Sequence, residues 1–95
     1  MMRGQILQAA EKCVCGGRNS DYGEPERNFR KISELWSAYM GFNITEIDVT
    51  MMMVLLKAAR VSTGKGTEDC FVDIAGYAAC GGEIATVREK EGYTE

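Results

Sequence analysis

Apolar positions recur three and four apart along most of this chain, and nowhere do they alternate over the length of a strand. That period belongs to the α-helix. Ile6, Leu7, Ala10 and Val14 share one side of a first segment, roughly 4–15, which Gly16-Gly17 ends. The stretch RNSDYGE follows, with the turn formers Asn19, Asp21 and Gly23. Pro25 stands where a first helical position is expected, and Glu26 suits the positive end of a helix. From there Phe29, Ile32, Leu35, Trp36, Tyr39 and Met40 draw one stripe along a second helix over 25–40, stopped at Gly41. Its other face carries Arg27, Arg30, Lys31 and Glu34, of which Arg30 and Glu34 are spaced for a solvated pair.

A third helix is predicted over 45–61. Thr45-x-x-Asp48 has the form of a capping box with Asp in place of Glu. Residues 51–56 are then Met, Met, Met, Val, Leu, Leu, apolar around the whole circumference, so this segment is predicted to be the central helix, covered on every side. A glycine-punctuated turn leads to a fourth helix over 67–91, with Thr67 as its cap and Glu68 and Asp69 in its first turn. This helix is rich in small residues between Ala75 and Gly82, which let a neighbouring helix come close, while Gly81-Gly82 together invite a kink.

The expected fold is all-α, a four-helix antiparallel bundle-like domain spanning 1–95. A chain this short buries only about 60–65% of its unfolded surface, so self-association, as a homodimer, is expected. The small-residue face of the fourth helix is a candidate for close helix contacts in it. A net charge of −3 speaks against phosphate-backbone contacts, so direct DNA binding is not expected. With no histidine in the chain, His-based triads, proton shuttles and His metal sites are excluded. Four cysteines, at Cys13-x-Cys15 and at Cys70 and Cys80, lack paired knuckle spacing and read as reduced thiols, with a four-cysteine zinc site as the alternative. No stretch approaches the roughly 20 apolar residues of a membrane span, and no signal peptide is evident, so no membrane association is expected.

The candidate chemistry lies where charge interrupts the apolar segments. Lys57 and Arg60 are three apart on one face of the third helix, and Asp69 and Asp73 are four apart on the fourth. Antiparallel packing of the two helices brings the pairs together. Two readings follow: an ionic clasp fixing the register of the hairpin, or a pocket in which the bases hold phosphate oxygens and the acids hold a divalent cation. Tyr77 lies one turn beyond Asp73, either as core or as a ligand-stacking ring. Arg18 and Tyr22, in a loop with flexible glycines, and Asn28, one turn into the second helix, complete the candidate ligand-binding set. No residue is assigned a catalytic role.

The ordered motifs Arg-x-x-x-Tyr-Gly, Pro-x-x-Asn-Phe and Ile-x-x-Leu-Trp-x-x-Tyr run from Arg18 to Tyr39. Asp-Val-x-x-x-Met-x-x-Leu-Lys-x-x-Arg follows over Asp48 to Arg60, then Asp-x-x-x-Asp-x-x-x-Tyr at Asp69, Asp73 and Tyr77. Together they resemble a family of small phage and prophage proteins that carries only a domain-of-unknown-function label. The resemblance implies a phage source and the cytoplasm of a bacterial host, but no activity. More distantly, the helical hairpin is similar to the all-α nucleoside triphosphate pyrophosphohydrolases of the MazG type, which bind magnesium through a Glu-x-x-Glu and a later Glu-x-x-Asp. That similarity implies a nucleotide-like ligand and magnesium as cofactor. The sequence departs from it where the ligands would stand. Glu34 has Arg30, Lys31, Ser37 and Ala38 one turn away, and Cys70 precedes Asp73 by three. The expectation is therefore a phage accessory protein with an anionic ligand pocket and an incomplete carboxylate set. The alternative is a phage-encoded inhibitor that binds a bacterial defence protein.

Overall fold

The computed structural model describes residues 1–16 and 25–90. Among the described residues four helices and no strand occur: α1 (Arg3–Cys15), α2 (Pro25–Met40), α3 (Glu46–Ser62) and α4 (Thr67–Lys90). Two boundaries have evident local causes, whereas Thr67, expected as the cap of the last helix, is its first helical residue. Gly41, with φ +81°, releases the chain from α2 in the left-handed conformation that only glycine adopts without strain. Thr45 Oγ1 accepts from the Asp48 N–H at 3.1 Å while Asp48 Oδ2 accepts from the Thr45 N–H at 3.0 Å, so the capping box forms with Asp in the fourth place.

The turn between α2 and α3 is fixed by a residue whose role the hydrophobic pattern does not show. The Ser37 hydroxyl accepts from the Ile44 N–H at 2.8 Å and donates to the Ile44 carbonyl at 3.1 Å. Both polar groups of a buried backbone position are thereby satisfied by one side chain.

The central helix is α4, not α3. Each of the other three helices packs against α4. Its small residues make this possible: a Cβ at Gly81 would lie 2.6 Å from Thr50 Oγ1 of α3, and one at Gly76 would lie 3.3 Å from Val14 Cγ1 of α1. The close helix contacts expected of the small-residue face are thus made within the chain. The helix runs unbroken through Gly81-Gly82, because covering neighbours hold a segment that propensity alone would weaken. By length and composition α4 is also long and apolar enough to cross a membrane, which corrects the expectation that no stretch comes near. Core helices pass the same test, and Cys70, Val72, Gly76, Cys80 and Ile84 of α4 are buried against the rest of the chain.

The core is small. Phe29, Ile44, Val49, Cys80 and Ile84 form it, with Ile32, Trp36 and Met53 partly buried against it. Only one side of α3 takes part. Val49 and Thr50 are sealed, whereas Met51, Met52, Leu55 and Leu56 are exposed, so the expectation of a helix covered all round is overturned. The α2 stripe divides likewise: Phe29 is buried, while Leu35, Tyr39 and Met40 stand in solvent. Arg30 and Glu34 both face solvent and make no ion pair among the described residues.

Three ion pairs set the directions of the helices. Glu46 pairs with Arg88, and Lys57 with Asp73, so α3 and α4 are antiparallel and are pinned near both ends. The Met1 ammonium meets Glu68 and Val14 meets Gly76, so α1 runs the same way as α4.

Candidate functional site

Late α3 and early α4 face each other across the antiparallel hairpin, and this register brings Lys57 opposite Asp73. Lys57 Nζ lies 3.1 Å from Asp73 Oδ2. The side chains are 18% and 38% exposed, so the pair is partly wet rather than sealed. The flanking charges are not buried: Arg60, three residues beyond Lys57, and Asp69, one turn before Asp73, are exposed and in no ion pair among the described residues. The four charges therefore form one closed clasp with an uncommitted base and an uncommitted acid beside it.

Tyr77, one turn beyond Asp73, is half-buried, and its ring meets that of Phe29 edge to face, with centroids 6.1 Å apart and planes at 67°. This is a core contact, of the geometry aromatic quadrupoles favour. It brings the first turn of α2 to the same stretch of α4, and Asn28, adjacent to Phe29, is exposed there. Arg18 and Tyr22 lie outside the described residues. The structure thus joins Lys57 to Asp73 directly and packs Tyr77 on Phe29, and leaves Asn28, Arg60 and Asp69 on the solvent side.

Magnesium does not fit the residues present. Among the described residues no group of three or more carboxylate or thiol donors gathers. A hard cation needs several oxygen ligands together. None of the four cysteines is in a disulfide, Cys13 and Cys15 lying on α1 and Cys70 and Cys80 buried on α4, and the same absence of a cluster among the described residues removes the zinc alternative. No hydrolytic step is derived from this arrangement.

A second feature was not anticipated from the sequence. Trp36, Tyr39 and Met40 of α2, Phe42 of the turn, and Met51, Met52 and Leu55 of α3 enclose a groove of about 440 Å³. Its polar margin is Asn43 and Asp48, and Asp48 is already engaged in the α3 cap. The sequence signal is the run Met51 to Leu56, which reads as core because a helix apolar all round is most simply one that others surround.

Comparison with known proteins places the chain among phage proteins. The sequence profile of the family described as "Domain of unknown function (DUF6378)" matches residues 5–85. The chain is 43% identical over 79 residues to the Gene 55 protein of Mycobacterium phage D29, covering 83% of this chain and 52% of that protein. It is 46% identical over 74 residues to the Gene 55 protein of Mycobacterium phage L5, covering 77% of this chain and 47% of that protein. The chain therefore spans about half the length of these curated relatives. No solved structure matches it.

Proposed function

The chain belongs to the DUF6378 family, and from that footing we propose that it is a phage accessory protein acting in the host cytoplasm, whose α3–α4 edge binds an anionic, nucleotide-like ligand. The observation that carries the reading is the half-open Lys57–Asp73 pair flanked by the exposed Arg60. Arg60 is in no ion pair among the described residues and stands one turn from Lys57, the spacing at which a phosphate meets both. Arg60 supplies the bidentate fork and Lys57 a point charge. Asn28 offers amide donors beside the Phe29–Tyr77 contact, which forms an apolar wall.

The two bases and two acids sum to no net charge, so a bare polyanion gains little from the site. A nucleotide that arrives with its own divalent cation suits it better, since Asp69 then faces positive charge. Because the chain's described residues do not assemble a metal site, binding without turnover is the expected behaviour.

The test is a thermal-shift and calorimetric screen of deoxynucleoside triphosphates with and without magnesium, alongside analysis for released pyrophosphate. The expected result is a shift with at least one metal–nucleotide complex, no product, and loss of the shift in Arg60→Ala with the ligand-free melting temperature unchanged. No response to any nucleotide sinks the proposal. The second reading, a non-enzymatic inhibitor of a bacterial defence protein, is favoured by the exposed apolar face of α2 and α3, and capture of a host protein through that face is its mark.

A further inference from the structure

We propose that the apolar face built by α2 and α3 is the interface through which two copies of this chain associate. The inference is independent of the ligand reading, which concerns Lys57 and Arg60 on another side of α3. Tyr39, Met40, Phe42, Met51, Met52 and Leu55 are between 42 and 89% exposed and line one groove. Taking a large side chain as roughly 200 Å², they present on the order of 700 Å² of apolar surface. The largest apolar patch on a typical monomer is about 300–600 Å². A standard interface covers about 800 Å² per partner, so the face is nearly the whole of one.

Three features select a second copy as the occupant. The face holds a single charge, Asp48 at its margin, which is engaged in the capping box, and from Val49 to Leu56 α3 carries none. A partner chosen by charge finds little to recognise, whereas an apolar face is complementary to itself. The face also carries a projection and a recess side by side. Tyr39, 89% exposed, stands at the rim of the groove of about 440 Å³. A two-fold axis through such a face sets each projection into the other copy's recess, which is what an isologous contact requires. Finally, α3 is apolar on both sides, and the second side needs a second layer of helix. Two α2–α3 pairs packed together supply it, and three methionines give the contact an adaptable surface.

The experiment is sedimentation velocity of the full chain across a hundredfold concentration range, repeated with Leu55→Asp on α3 and Tyr39→Glu on α2. Both positions are largely solvent-exposed in the single chain, so helical circular dichroism is expected to persist in both variants. The expected result is a species of twice the 10.5 kDa of one chain, converted to single chains by either substitution. A wild-type protein that stays single at the highest concentration overturns the proposal, as does a dimer indifferent to both variants. Single chains that instead hold one host protein, lost in Leu55→Asp, assign the face to that protein and overturn self-association. Should Leu55→Asp lose its helical signal, Tyr39→Glu decides alone.

Discussion

Two adjacent glycines separate packing from propensity. A methyl group on Gly81 would stand 2.6 Å from Thr50 Oγ1 and 3.3 Å from Thr50 Cβ, whereas at Gly82 it would meet nothing within 4 Å. Thr50 has nowhere to go: it is 1% exposed, and its hydroxyl donates to the Ile47 carbonyl at 2.7 Å. Gly81→Ala is therefore expected to destabilise the fold by about 1–3 kcal/mol through overpacking. Gly82→Ala should instead stabilise it by about 0.5–1 kcal/mol, since alanine is the better helix former in an open position. Urea unfolding of both variants checks the pair, and equal effects would mean that α3 does not approach α4 at this point. At this scale the charged pairing was legible because helical periodicity sets Lys57 and Asp73 on facing sides of one hairpin. Glu46–Arg88 was not, since the residues are 42 apart in sequence and only the register of the assembled hairpin brings them together.

The helix ends were readable from local punctuation, because Pro25, Gly41 and the Thr45 cap act within one turn of where they stand. The order of packing was not. A run such as Met51 to Leu56 states that α3 avoids water on all sides, but not whether its own chain or another molecule supplies the cover. The deciding signal was steric and lay in α4, where Gly76 and Gly81 admit α1 and α3 closely enough to make that helix the centre. The α2–α3 connection depends on a different kind of residue. Ser37→Ala removes both hydrogen bonds to the Ile44 backbone, and the buried N–H and carbonyl are left without a partner. A cost of about 1–3 kcal/mol follows from one unsatisfied buried polar group. Because Ile44 also lines the apolar groove, hydrogen exchange should quicken first at the α2–α3 turn. Uniform acceleration along all four helices would instead mark a global loss without a local role for Ser37.

The molecule as a whole is short of cover. Its radius of gyration, 14.1 Å, exceeds the roughly 13 Å of a compact 100-residue domain. Among the described residues only two side chains, Val49 and Thr50, are sealed below 2% exposure. The candidate-site charges could be read from the sequence because they interrupt apolar helices, but whether they meet a ligand depends on solvent access that no spacing encodes. The same shortage of core makes stability a sensitive probe of association. If two chains share the α2–α3 face, folding and association are linked by mass action, and the midpoint of unfolding depends on concentration. Each tenfold rise in protein adds about 1.4 kcal/mol per mole of dimer, which for two chains of this size raises Tm by about 3–5 °C. Leu55→Asp should abolish that dependence and melt at one temperature throughout, because water already reaches the substituted side chain in the single chain. Calorimetric scans at three concentrations decide the matter. A wild-type Tm that ignores concentration means that the apolar face of α2 and α3 contributes nothing to stability through a second copy.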